Sequence, residues 1–247
     1  PMPPVIEKIA HLLTMIGASS ALVTTAEYMN QNISDERLRA VLLSQWGDYG
    51  LPPSQSAFVI HALIATHYFD GGYYPVGGSG RIAESVEKIV REKGGAFLLY
   101  HEVSEILVKE GKAVGVAVVE TKGREKIEKV FYADVVVSNA GAKNTYLKLL
   151  PPAVPIPFRE EIRSFPDGGS NLTLYIGFKE SPAKLGFRGE NYWIYPSYDH
   201  DQNFARRNEV LDGRPSACYL SFPSLKDAHA HAHTAEIITF VDYAPFA

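Results

Sequence analysis

Tyr73-Tyr74-Pro75-Val76-Gly77-Gly78-Ser79-Gly80-Arg81-Ile82-Ala83 is the stretch on which the reading of this chain turns. Within it, Gly78-Ser79-Gly80-Arg81-Ile82-Ala83 spells G-x-G-x-x-A, close to a dinucleotide-binding fingerprint. That fingerprint needs a buried strand before its first glycine, feeding a tight turn into a helix. Here Tyr73-Tyr74-Pro75 stands in that place, and proline donates nothing to a central sheet ladder. No acidic residue ends a second strand about 20 positions on. Lys93-Gly94-Gly95 lies between, and His101-Glu102 falls inside the next strand. The spacing instead predicts a loop that turns into a helix, with Ser79 near the N-cap and glycines allowing close backbone approach.

Downstream, Ile82 to about Glu92 reads as an amphipathic helix. Ile82, Val86, Ile89 and Val90 form a stripe opposite Glu84, Glu87, Lys88 and Arg91, and Lys93-Gly94-Gly95 closes it. Ala96–Tyr100 and Val103–Val108 read as short strands. Glu110-Gly111-Lys112 predicts a hairpin turn into a valine-rich strand, Ala113–Glu120. A turn at 122–125 leads to a strand over Lys126–Phe131. Val135-Val136-Val137 reads as a strand buried on both faces, ending at Ser138-Asn139-Ala140-Gly141. Ligands of open α/β sheets meet the carboxyl ends of strands, which makes these small residues candidate neighbours of a cofactor. Thr145–Leu150 is a short helix stopped by prolines, and the proline-rich stretch to Pro157 reads as a boundary. Beyond it, Asn171–Phe178, Asn191–Tyr195, Ala217–Phe222 and Glu236–Asp242 predict a second, largely antiparallel sheet.

Upstream, residues 5 to about 30 predict a helix through Ile6, Ile9, Leu12, Leu13, Ile16, Leu22 and Val23. Its most apolar part, Ile9 to Thr24, holds His11, Thr14 and Gly17 and falls short of the ~20 residues a membrane span needs. A buried core helix is the plain reading; a helix that dips into a membrane surface or roofs an apolar tunnel is the alternative. Ser34 predicts the N-cap of a helix carrying Leu38, Val41, Leu42 and Trp46, broken at Gly47–Pro53. A further helix, Ser54 to about Tyr68, carries His61 and His67, whose spacing does not match the i, i+4 face of a helical metal pair.

The 247 residues suffice for one large domain or two small ones with a real core. A formal charge of −4 with no run of lysine and arginine argues against nucleic acid as a partner. One cysteine, Cys218, excludes an intrachain disulfide and a cysteine-cluster zinc site and is compatible with a reducing compartment, cytoplasmic or at a membrane periphery. His229-x-His231-x-His233 would share one face of a strand and could bind a transition metal, but it reads better as a solvated loop, so no metal is assigned. Pro1-Met2-Pro3-Pro4 and Pro245-Phe246-Ala247 read as cut ends, and a piece of a longer polypeptide is expected.

The chain also resembles a known family. Tyr73–Ser79, the Ala96–Val119 strands and Ala133–Ala140 are similar to the middle of flavin-dependent amine-oxidase-type proteins. Within that group, Gly47-Asp48-Tyr49-Gly50, Leu51-Pro52-Pro53-Ser54 with Phe58, His61-Ala62-Leu63, His67-Tyr68 and Gly71–Pro75 resemble the FAD-dependent retinol saturase, phytoene desaturase and carotenoid isomerase family. Val137–Gly141, Asn144-Thr145-Tyr146, Leu149-Leu150-Pro151 and Phe222-Pro223-Ser224 extend the match over roughly Leu43 to Asp227. The resemblance implies an α/β (α+β) fold: a partial flavin-domain segment with a hairpin or small sheet, plus a substrate domain of helices and a mostly antiparallel sheet. Residues 1–70 would be the helical part of the substrate domain, 71–150 the middle of the flavin domain and 151–247 the sheet part of the substrate domain. Gly77–Gly80 would be the hinge between the first two.

The resemblance further implies FAD in the full-length protein, bound through an N-terminal fingerprint and a C-terminal segment that the match does not include. Retention of FAD by this chain alone is not expected. The substrate would be a retinoid or carotenoid, reduced, isomerised or desaturated at a carbon–carbon double bond. Val103 would face the adenine through its backbone, with Ser138, Asn139 and Ala140 ending a strand near the cofactor; a plain core valine and ordinary strand-end turn chemistry are the alternatives. Tyr73, Tyr175 and Trp193, with Phe58, Tyr68, Tyr74 and Tyr195, would wall an apolar channel, unless they simply fill the core. A second class of function stays open, a standalone binding module for retinoids or lipids without catalysis.

Overall fold

The computed structural model describes residues 22–123, 126–166 and 168–246. The chain folds into two compact units, one of residues 1–84 and 169–247, the other of residues 85–168. The boundary at Glu84 falls inside a helix, α4 (Gly80–Glu92), and residues 69–79 ahead of it form no strand. Most of the predicted helix over residues 5–30 lies outside the described residues. Its described end breaks at Thr24, which caps α1 (Thr25–Asn32). The Thr24 hydroxyl accepts from the Glu27 N–H, and the Glu27 carboxylate accepts from the Thr24 N–H at 2.9 Å. This reciprocal box satisfies two orphan donors at once, which an unbroken helix would not need. Asp35, not Ser34, caps α2 (Glu36–Leu43), accepting from the Leu38 N–H at 3.0 Å. Trp46 lies on the 3₁₀ turn Ser44–Asp48 that follows, and α3 spans Phe58–His67.

The first unit's sheet has four antiparallel strands in the order β4-β7-β6-β5 by the labels used here: β4 Ser170–Phe178, β5 Tyr192–Ile194, β6 Cys218–Ser221 and β7 His233–Val241. All four match the strands expected from alternation. Register places Thr173, Ile238, Tyr219 and Trp193 in one row across the sheet. The next row on the same face holds Tyr175, Glu236 and Ser221. Trp46, fully buried, is the centre of the core against this sheet. Its ring stacks on Phe240 at 4.8 Å and meets Phe204 edge-on at 5.6 Å, with His200 and Tyr195 beyond.

His200, on helix α6 (His200–Ala205; α5 is Arg159–Ser164), is buried and donates from Nε2 to the Ala40 carbonyl at 2.8 Å, while its Nδ1 has no partner. Burial holds its pKa, and that of His61, below the ordinary 6.5. The unfolded chain therefore takes up these protons first. Stability is complete above the unfolded pKa and falls as pH drops through it towards the folded values. Denaturant midpoints should fall between about pH 7 and about pH 5.5, and His200→Gln, which keeps a donor for Ala40, should flatten that slope. A midpoint unchanged over this range would refute the reading.

The second unit holds a three-stranded antiparallel sheet, β1 (His101–Lys109), β2 (Lys112–Glu120) and β3 (Ile127–Tyr132), in that order. Glu110 and Gly111 take φ of 51° and 76°, both left-handed, as a two-residue primed turn demands. Gly115 meets β3 so closely that a Cβ there would sit 2.2 Å from the Phe131 carbonyl oxygen. Two expected strands do not form. Residues 96–100 and 135–137 make no ladder among the described residues, and Val135 and Val137 are 74% and 89% exposed rather than buried. An apolar run supplies strand propensity but not the neighbour whose N–H and C=O groups complete a strand. Thr145–Leu150 appears as a π-helical turn, Asn144–Leu149.

Candidate functional site

The sheet face that carries Trp193 and Tyr219 is hollowed by two adjoining cavities, both within the first unit. The smaller, about 270 Å³, is walled by Asp48, Asn171, Trp193, Tyr219, Ile238 and Phe240 among others. Trp193 packs on Tyr219 with ring centroids 4.8 Å apart. Gly47 lets the 3₁₀ turn approach that ring, since a Cβ there would lie 2.3 Å from Trp193 Cζ3. The larger cavity, about 920 Å³, shares Tyr219 and takes its other walls from two distant stretches. One is His67–Tyr68 and Gly71–Tyr74; the other includes Asn191, Ser221, Lys226 and Glu236.

The Tyr73–Gly78 segment is held against that wall. The ammonium of Lys226, last residue of helix α7 (Pro223–Lys226), lies 5.9 Å from the centre of the Tyr74 ring. The His229 N–H donates to the Asp227 carboxylate at 3.0 Å, and this bond, with the nearby Gly77 backbone, keeps the carboxyl below its ordinary range. The glycines of the opening stretch thus serve a loop that closes a cavity.

Electrostatics in the smaller cavity favour neutral groups, whereas the larger carries the ionisable side chains of His67, Glu190, Lys226 and Glu236. Burial raises the Asp48 carboxyl, which accepts from the Tyr68 hydroxyl at 3.2 Å. Burial also raises the phenols of Tyr68, Tyr195 and Tyr219; Tyr195 donates to the Ser44 carbonyl at 2.6 Å. The Cys218 thiol is pushed up by burial, so it is no thiolate nucleophile at neutral pH. The smaller cavity is thus an aromatic, weakly polar surface that can orient an elongated apolar molecule, and the larger is a polar continuation of it with tyrosines in its wall.

The residues singled out from the sequence separate into two groups. Trp193 walls the smaller cavity and Tyr73 the larger, though Tyr73 is largely exposed. Tyr175 shares the sheet face of Trp193, one row along in the pleat, and is also exposed. Ser138 and Asn139 line a third cavity of about 460 Å³, inside the second unit, with Ile106, Thr145 and Tyr146. The Ser138 and Thr145 hydroxyls are 2.7 Å apart, and the Ala140 carbonyl accepts from the Asn144 amide at 2.9 Å. Val103 is on β1 paired with Val118, beside a bulge, and does not line that cavity. Among the described residues no group of His, Cys, Asp or Glu is placed to hold a metal ion, and no helix is long and apolar enough to cross a membrane. His229 and His231 lie in the turn before β7 and His233 begins the strand. Lys226 and Tyr219 carry no local signal in the sequence, and Asp48 stands out only as part of Gly47-Asp48-Tyr49-Gly50. Lys226 follows the Phe222-Pro223-Ser224 stretch by two positions and carried no pattern of its own.

No family model matches the chain. It is 31% identical over 259 residues to an all-trans-retinol 13,14-reductase of Danio rerio, a match covering 96% of this chain and 42% of that protein. It is 28% identical to a phytoene desaturase of Cercospora nicotianae, covering 91% of this chain and 34% of the relative. The chain thus spans well under half the length of these relatives. A crystal structure of an oxidoreductase from Methanosarcina mazei aligns over 99% of this chain and 54% of its own, with a TM-score of 0.65 at 18% identity. At that identity the likeness speaks for the fold alone.

Proposed function

Because the chain belongs to the family of all-trans-retinol 13,14-reductases and phytoene desaturases, we propose that it forms part of a flavin-dependent oxidoreductase acting on a carbon–carbon double bond of a retinoid or carotenoid. The observation that carries this reading is the aromatic sheet face. Trp193, Tyr219, Ile238 and Phe240 line it with few charges, as an elongated polyene requires. FAD, when bound, would supply the redox chemistry, and the protein an apolar channel and orientation.

The third cavity fits a neutral part of that cofactor. Ser138, Asn139 and Thr145 offer hydroxyl and amide groups there, Gly141 and Ala142 leave backbone accessible, and none of the lining residues is charged. Ser138 and Asn139 would meet an uncharged portion such as the ribose or adenine, with Ala140 beside them in the chain, while Val103 lies outside this lining. A pyrophosphate would need a helix N-terminus behind a glycine turn, and Gly78–Gly80, with no strand before them, do not provide one. The 247-residue chain alone is therefore expected to leave a desalting column without flavin.

The test uses the longer polypeptide that carries this chain, incubated with FAD and freed of excess. It should retain flavin absorbance and convert all-trans-retinol or phytoene to products separable by chromatography. A protein that stays colourless and inert would end the enzyme reading. Because the described walls of both cavities lie within the first unit, a second reading is a retinoid- or lipid-binding module without catalysis. It would survive that result if tryptophan fluorescence of the chain were still quenched saturably.

A further inference from the structure

We propose that Lys226 and Glu236 together read the end group of the bound molecule, selecting an apolar ligand that terminates in an alcohol. This rests on the reading above for the apolar body of the ligand and adds what its polar end must be.

Both side chains line the larger cavity, whose wall includes Tyr68, Tyr73, Tyr74 and Tyr219 beside polar groups such as Asn191 and Ser221. Lys226 is fixed by two acceptors, Asn191 Oδ1 just before β5 at 2.5 Å and Ser221 Oγ on β6 at 2.7 Å, and Ser221 is itself buried. An ammonium has three protons to give. Among the described residues no further hydrogen-bond acceptor and no ion-paired carboxylate takes the third; the Tyr74 ring, its centre 5.9 Å away, offers only a weak cation–π contact. Burial lowers the Lys226 pKa while Glu236 pulls it back, so the two charges sense each other without touching. Glu236 sits opposite Ser221 in the register and points from the same face. Glu190 and His67 are the other ionisable groups besides tyrosines on the wall; Glu190 is occupied by the Arg188 N–H at 2.7 Å.

The cavity therefore pairs a group that only donates with a group that only accepts. A hydroxyl does both and satisfies each. A carboxylate would satisfy Lys226 but face Glu236 with like charge, and a pure hydrocarbon would leave both without a ligand contact. The expected order is alcohol, then acid, then hydrocarbon.

Purified chain would be titrated with all-trans-retinol, all-trans-retinoic acid and phytoene, following tryptophan quenching. Lys226→Met should weaken retinol about tenfold and leave phytoene unchanged. Glu236→Gln should bring the acid up towards the alcohol by removing the repulsion. Circular dichroism would verify folding, with Lys226→Gln used should the methionine variant not fold. Equal losses for all three ligands, or no loss for retinol, would overturn the inference. A wild-type chain that binds phytoene but not the alcohol would overturn it while sparing the polyene reading, and one that binds none of the three would overturn both.

Discussion

Trp46→Ala should lower the unfolding free energy by about 3–5 kcal/mol, the cost of emptying a fully packed aromatic site. The residue is completely buried among Phe240, Phe204, His200 and Tyr195, and its neighbours come from β7, α6 and the loop after β5, which cannot all collapse into one void. A loss of that size is a large share of a normal domain's stability. Trp46→Phe should behave differently. The indole Nε1 is buried with no hydrogen-bond partner, so phenylalanine loses volume but breaks no bond. Its cost should stay near 1–2 kcal/mol, roughly that of a modest cavity. Denaturant unfolding followed by far-ultraviolet circular dichroism measures both. If the phenylalanine variant fell as far as the alanine one, the indole N–H would have to be bonded after all.

Gly115→Ala should be the most damaging single change in the second unit, at about 2–3 kcal/mol. The new methyl would lie 2.2 Å from the Phe131 oxygen and 3.0 Å from the Tyr132 Cα. Both are backbone atoms, so no rotamer change can relieve the clash; β3 must move away from β2. Hydrogen exchange should show the amides of Ile127–Tyr132 losing protection while those of β4 and β7 keep theirs. Unaltered protection in β3 would show that the pairing tolerates the methyl.

What could be read from the sequence was whatever is local. The four strands of the first unit's sheet and the Glu110-Gly111 hairpin announced themselves because alternation and turn residues lie within a few positions of each other. Ala96–Tyr100 and Val135–Val137 carry equally strong apolar runs, yet they form no strand, because pairing depends on a partner that a run cannot encode. Thr24-x-x-Glu27 was a legible capping box, hidden by the apolar residues that run through it. The site followed the same division. Trp193 and Tyr73 were found as aromatics, whereas Lys226 acquires its setting from Asn191, Ser221 and Tyr74, none of them near it in sequence save Ser221. Glu236 joins them only through the β6–β7 register.

The dispersed origin of the Trp46 core has a bearing on how the chain is made. Phe204 and Phe240 leave the ribosome long after Trp46, because the whole of residues 85–168 is synthesised between the two halves of the first unit. At a translation rate of roughly 5–20 residues per second, the indole waits on the order of 10–40 s for Phe240 to emerge. Throughout that interval α1, α2 and α3 present their apolar faces without the sheet that covers them, while the β1–β2–β3 meander can already close on itself. The nascent chain thus passes through a stage in which its middle, the β1–β2–β3 meander, is folded before the helices that precede it, and it is those helices that holding chaperones would need to shield.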